Sequence, residues 1–209
     1  MAYDLEEQEQ IASLKGWWKD NGNYVVAALV TASIAAGGWV GWRNWQASQA
    51  QAAGSHYDAL LRAGQGGDQK AMREAGAALT ENYARTAYAS MGALATAKHL
   101  FESGDLKGAR AQLQWVVERG ANDELKQLAR LRMAAVMLDE KSYDEALKAL
   151  EVKPAAPLEP QYDALKGDIL LAKNQPAEAK AAYRAALDKP GASEAFRASV
   201  QMRLDALGG

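Results

Sequence analysis

Hydrophobic and polar positions divide this chain into two unlike parts. From Asn21 to Trp42 no side chain is charged and no polar face recurs, a pattern that predicts one continuous apolar helix rather than a buried helix of a soluble domain. At about 1.5 Å rise per residue that stretch reaches roughly 33 Å, enough to cross a hydrocarbon core of roughly 30 Å. Beyond it, segments about one helix long alternate with short turn elements: Gly66-Gly67, Gly104-Asp105, Gly120-Ala121-Asn122, Lys141-Ser142, Pro154 to Pro160, Asn174-Gln175-Pro176 and Pro190-Gly191. Alanine, leucine, glutamine, lysine and glutamate dominate these segments and β-branched residues are scarce, so they read as helices with no strands between them. Ser142 followed by Glu145 matches a capping box, and Pro176 suits a first helical position. Residues 193–207 read as a closing helix.

The ends of the apolar run carry the next signal. Trp17 and Trp18 precede it, while Trp39, Trp42 and Trp45 cluster at its far edge beside Arg43. Indole rings favour the headgroup boundary, so Trp17, Trp18, Trp42, Arg43 and Trp45 are the expected membrane-interface residues. A cleavable signal peptide would need a short positive leader, whereas this leader holds Asp4, Glu6, Glu7, Glu9 and Asp20 against Lys15 and Lys19. The run also exceeds the roughly 7–15 apolar residues of such a signal. The expected division is a tail at 1–20, containing a short amphipathic helix, a transmembrane helix at 21–42, and a helical domain at 43–209. Two lysines before the span against one arginine after it tilt only slightly toward an N-terminus inside. Gly37 and Gly41 form a small-xxx-small pair that lets a second membrane helix approach.

The helical segments repeat. Aligning Gly66, Gly104, Lys141 and Asn174 places alanine five residues later at Ala71, Ala109, Ala146 and Ala179. Positions four and seven residues further on are Ala75 and Ala78, Leu113 and Val116, Leu150 and Lys153, Tyr183 and Ala186. The period is near the roughly 34 residues of tetratricopeptide repeats, although Lys153 breaks the pattern and an alanine-rich chain offers such registers by chance. The fold class expected is all-α: one N-terminal transmembrane helix followed by a tetratricopeptide-like helical-repeat solenoid, its helix pairs stacked into a right-handed array.

Charge and chemistry narrow the function. Residues 43–209 carry 22 basic and 21 acidic side chains, so nothing marks a nucleic-acid partner. With no cysteine, thiol nucleophiles and zinc-thiolate sites are excluded, though the redox compartment stays open. His56 and His99 lack the partners a base or ligand needs, and Gly64, Gly66 and Gly67 have neither the strand before them nor the lysine-serine after them that a phosphate loop requires. No catalytic, cofactor or metal residues are assigned. In a stack of helix pairs the first helices line a groove. This register puts Met91, Leu94, Lys98 and Phe101, then Leu128, Leu131, Ala135 and Leu138, then Gln161, Ala164, Asp168 and Leu171 along it. Met91, Leu94, Phe101, Leu128, Leu131, Leu138 and Leu171 are then a peptide or partner groove, or ordinary core if the register slips by one residue. Leu131 and Leu138 are expected to be solvent-accessible.

Several stretches carry a family resemblance. They are the acidic tail, the aromatic pair and small turn in Trp17-Trp18-Lys19-Asp20-Asn21-Gly22, and the exit sequence Gly41-Trp42-Arg43-Asn44-Trp45. With them stand Met91-Gly92-Ala93-Leu94-Ala95, Leu125-Lys126, Leu131-Arg132, Asp144-Glu145-Ala146-Leu147, Gly167-Asp168 and Gln201-Met202-Arg203-Leu204-Asp205. In their order and spacing the chain resembles the YfgM-like ancillary subunits of the bacterial SecYEG translocon. The resemblance implies a Gram-negative inner-membrane protein with a cytoplasmic tail and a periplasmic tetratricopeptide-like domain. It implies partners as well: the SecYEG channel, a membrane-anchored chaperone of the peptidyl-prolyl isomerase type, and emerging or unfolded polypeptides passed on to periplasmic chaperones. It carries no catalytic residues. The alternative function is an envelope-stress signalling adaptor whose tail, residues 1–20, sequesters a regulator.

Overall fold

Four turns of one kind set the architecture. In each, one residue adopts a left-handed backbone conformation: Gly67 and Gly104, with φ of 70° and 84°, and Lys141 and Asn174, each at 61°. The amide of the following residue then closes the preceding helix by donating to a carbonyl five residues back, from Asp68 to Ala63, Asp105 to Leu100, Ser142 to Met137 and Gln175 to Leu170. The next helix begins at once. The four turns are equivalent, spaced 37, 37 and 33 residues apart.

The structure is a computed structural model that describes residues 2–208, with side chains from Glu9 onward. Among the described residues the elements are α1 (Ala2–Gly66), α2 (Gln69–Asn82), α3 (Ala87–Glu102), α4 (Leu106–Arg119), α5 (Asp123–Asp139), α6 (Tyr143–Ala149), a 3-10 turn at Ala156–Leu158, α7 (Glu159–Ala172), α8 (Pro176–Asp188) and α9 (Glu194–Ala206). No strand occurs among them. The chain falls into two units, residues 1–48 and 49–209.

In the first unit α1 is helical from Ala2 without interruption, so the small turn expected within the stretch Trp17 to Gly22 is absent. The Asn21 side-chain amide donates to the Trp17 carbonyl at 3.1 Å and the Trp18 indole covers Gly22, which keeps both residues in the helix. Hydroxyls within the apolar run are likewise satisfied along the helix, Thr31 donating to the Ala27 carbonyl and Ser33 to that of Leu29, each at 2.8 Å. Such back-bonding removes the cost of placing a hydroxyl in an apolar medium.

The second unit is a series of helix pairs, in which consecutive helices pack on each other from α2 through α9 and the first helices α3, α5 and α7 also touch in turn. Its core forms three groups: one joining the end of α1 to α2 and α3, one spanning α3 to α6 with Ile169, and one joining α7, α8 and α9. Ala109, Ala146 and Ala179 are fully buried five residues after their turns, letting each second helix lie close to the first. In the first pair the expected register is one residue early. Gly67, not Gly66, is left-handed, so Met72, Gly76 and Leu79 take the positions assigned to Ala71, Ala75 and Ala78.

Two further expectations give way in the third pair. Ser142 makes no side-chain capping bond, and the Glu145 carboxylate turns away to Arg110 instead of completing a capping box. Helix α6 also stops at Ala149, so Lys153 lies outside it in an irregular segment, and the spacing to the next turn shortens accordingly.

Candidate protein-interaction surface

Counting back from each left-handed residue defines equivalent positions on the first helices, at thirteen, ten, six and three residues before the turn. On α3 they are Met91, Leu94, Lys98 and Phe101, on α5 Leu128, Leu131, Ala135 and Leu138, and on α7 Gln161, Ala164, Asp168 and Leu171. The same count on α1 gives Gly54, Tyr57, Leu61 and Gly64. Tyr57 and Leu61 went unassigned in the sequence because the apolar run of α1 hides where the repeats begin. Tyr57 packs beside Tyr88 of α3, ring centroids 5.8 Å apart.

Large apolar side chains on this face stand partly open to solvent. Leu61 and Leu171 are 39% exposed, Met91 and Phe101 38%. Leu128, Leu131 and Leu138 are half-buried, with Leu128 and Leu138 packed against the α3–α6 core, so Leu131 and Leu138 are less open than expected. Leu94 is a correction: at 5% exposure it belongs to that core. Three residues before buried Ala97, it shares that residue's side of the helix and sits beneath the face.

Between α3 and α5 the face opens into a cleft of about 430 Å³, lined by Ala97, Phe101, Leu113, Ala135 and Val136 with Lys98, Glu102 and Arg132 at its polar edge. That volume falls in the range of roughly 300–1,000 Å³ typical of ligand-binding clefts. Lys98 Nζ lies 3.7 Å from the Glu102 carboxylate. On α7 the Asp168 carboxylate accepts from Arg203 at 2.7 and 2.9 Å and from the Tyr183 hydroxyl at 2.8 Å, which ties α7, α8 and α9 together. Burial, and then the bond to Asp168, hold the Tyr183 phenol far above its ordinary pKa. The phenol therefore stays a donor.

The residues expected at the membrane interface lie in the first unit. Trp17, Trp18, Trp42 and Trp45 are about half exposed, Arg43 is exposed, and Trp39 and Trp42 pack with ring centroids 5.3 Å apart. A methyl group placed on Gly37, Gly38 or Gly41 would meet nothing within 4 Å, so α1 offers an open, flat patch there. This helix is long and apolar enough to be a candidate membrane span.

Comparison with known proteins follows the same outline. The family described as a tetratricopeptide repeat-like domain matches residues 15–209. A protein of Aggregatibacter actinomycetemcomitans named ancillary SecYEG translocon subunit is 32% identical over 99% of this chain and 100% of its own. Proteins of the same name from Haemophilus influenzae, 32% identical over 89% of this chain and 91% of that one, and from Neisseria gonorrhoeae, 30% identical over 99% and 100%, are similar too. The chain belongs to this family.

Family membership extends across both units, since the matched region begins at Lys15, before the first tryptophan pair, and ends with the last helix. No solved structure matches the chain. Within the repeat unit the family fold is fastened by polar ties between neighbouring helices. Arg110 of α4 reaches Glu140 at 3.1 Å and also Glu145, while the Tyr162 hydroxyl donates to the Gln127 carbonyl at 2.7 Å. His56 is taken up in packing on Tyr83, at 5.4 Å between ring centroids, and His99 is half-buried on α3. Among the described residues no group of three or more His, Cys, Asp or Glu converges as a metal site would.

Proposed function

We propose that this protein is a non-enzymatic ancillary subunit of the SecYEG translocon. Residues 21–42 of α1 anchor it in the bacterial inner membrane, the tail at 1–20 lies in the cytoplasm, and the repeat domain from residue 43 onward lies in the periplasm. There the first-helix face holds extended segments of emerging or unfolded polypeptides and passes them to a membrane-anchored chaperone of the peptidyl-prolyl isomerase type. Supporting this reading is the row of half-open apolar side chains at Leu61, Met91, Phe101 and Leu171 on one face of a repeat scaffold. Apolar surface of that kind, recurring on several first helices, suits an extended chain. The relatives' shared name supplies the channel as partner.

The test combines topology with contact. Protease added to spheroplasts is expected to digest the repeat domain and spare a short N-terminal fragment; protection of the whole domain would overturn the orientation. A photo-crosslinking residue at Phe101 in intact membranes is expected to capture exported chains in transit, whereas one at exposed Glu81 on α2 is not. Equal capture from both positions would remove the face from the mechanism.

A further inference from the structure

The cleft between α3 and α5 is apolar at its floor and charged at its edge, and those charges are unequally matched. Lys98 and Glu102 neutralise each other across one helical turn. Asp168, the acidic group of the first-helix face on α7, is engaged by Arg203 and Tyr183. Arg132 is different. It is exposed, it lines the cleft, and among the described residues no carboxylate lies within 4.0 Å of its guanidinium. Its own helix supplies none either, since Leu128, Ala129, Ala135 and Val136 occupy the positions three and four residues away.

A guanidinium with no carboxylate within 4.0 Å, beside an apolar cleft whose Glu102 pairs with Lys98, attracts a carboxylate that arrives together with an apolar side chain, because its planar donors match carboxylate geometry. Resting on the reading of this face as a polypeptide-binding surface, we propose that Arg132 makes the cleft selective for extended segments in which a bulky apolar residue stands next to Asp or Glu. The apolar side chain enters among Ala97, Phe101, Leu113, Ala135 and Val136, while the neighbouring carboxylate pairs with Arg132. Segments with Lys or Arg at that place meet like charge, so basic stretches of a passing chain are held less than acidic-apolar ones.

Fluorescence anisotropy with the purified full chain in nanodiscs tests this, using labelled peptides acetylated and amidated at their ends and differing only in a central Leu-Asp, Leu-Asn, Leu-Lys or Ser-Asp pair. Leu-Asp is expected to bind roughly three- to fivefold tighter than Leu-Asn, the upper part of the range of one exposed ion pair. Leu-Lys and Ser-Asp should bind more weakly than either. Arg132→Glu should reverse the order of Leu-Asp and Leu-Lys without moving the thermal midpoint, since the side chain is exposed and unpaired. Equal binding of the three Leu peptides to both proteins would overturn the selectivity and leave the apolar face standing as a binding surface. If no Leu peptide binds, the polypeptide-binding reading and the selectivity fall together.

Discussion

At Lys141 and Asn174 a side chain occupies the left-handed backbone conformation that Gly104 adopts without steric penalty in the equivalent turn. Lys141→Gly is therefore expected to stabilise the protein by about 0.5–1 kcal/mol, the relief of backbone strain outweighing glycine's extra freedom in the unfolded chain. Gly104→Ala should cost about as much, and urea unfolding of both variants checks the pair. A second glycine tests packing. A methyl group at Gly167 would lie 2.5 Å from Tyr183 Cε1, inside the contact between α7 and α8. Gly167→Ala should then destabilise by about 1–3 kcal/mol through overpacking, and Tyr183→Leu should absorb most of that added cost in the double variant, a coupling that a thermal-melt cycle measures. The register of the first repeat is illegible in the sequence for a reason visible at this scale: Gly66 and Gly67 are chemically identical, and only the backbone distinguishes which one turns.

Helix boundaries are legible in the sequence where glycine, proline, an asparagine-containing turn or the Lys141-Ser142 pair interrupts the apolar pattern, and hidden at the connection between α2 and α3. The connection at Tyr83–Arg85 between α2 and α3 has neither glycine nor proline, and its closure depends on Thr86, whose hydroxyl oxygen accepts from the Ala89 amide at 3.3 Å. Conversely, Ser142-x-x-Glu145 has the capping spelling without the capping bonds, because Arg110 on α4 offers Glu145 a charged partner that the backbone amide cannot match. Working caps lie elsewhere. Asp105 accepts from the Gly108 amide at 2.9 Å and Asn122 from the Leu125 amide at 2.9 Å. Asp105→Ala is expected to cost about 1 kcal/mol, whereas Ser142→Ala should stay within about 0.5 kcal/mol, as at a surface site. Equal losses in the two variants by urea titration would restore the capping box.

For the whole molecule, the uncharged run and its flanking tryptophans are enough to mark a candidate membrane span, and the turn spacing is enough to announce a repeat. Which residues the first-helix face offers to a partner is harder to read. Leu94 and Phe101 lie seven residues apart on one stripe of α3, and only the packed helices place one beneath the face and the other beside the cleft. Partner binding in the proposed translocon role can then be divided between the units. Gly37 and Gly41 lie one turn apart on a patch of α1 where no side chain intervenes, so another membrane helix could approach its backbone closely. Replacing both by isoleucine should leave insertion intact, since isoleucine is at home in lipid, but weaken co-purification with the channel from detergent extracts. Arg132→Glu, which alters only the cleft edge, should leave that co-purification unchanged while altering which chains crosslink to Phe101. Unchanged recovery of the channel with both glycines replaced would assign channel binding to the repeat unit instead, and loss of recovery in Arg132→Glu alone would place it at the cleft.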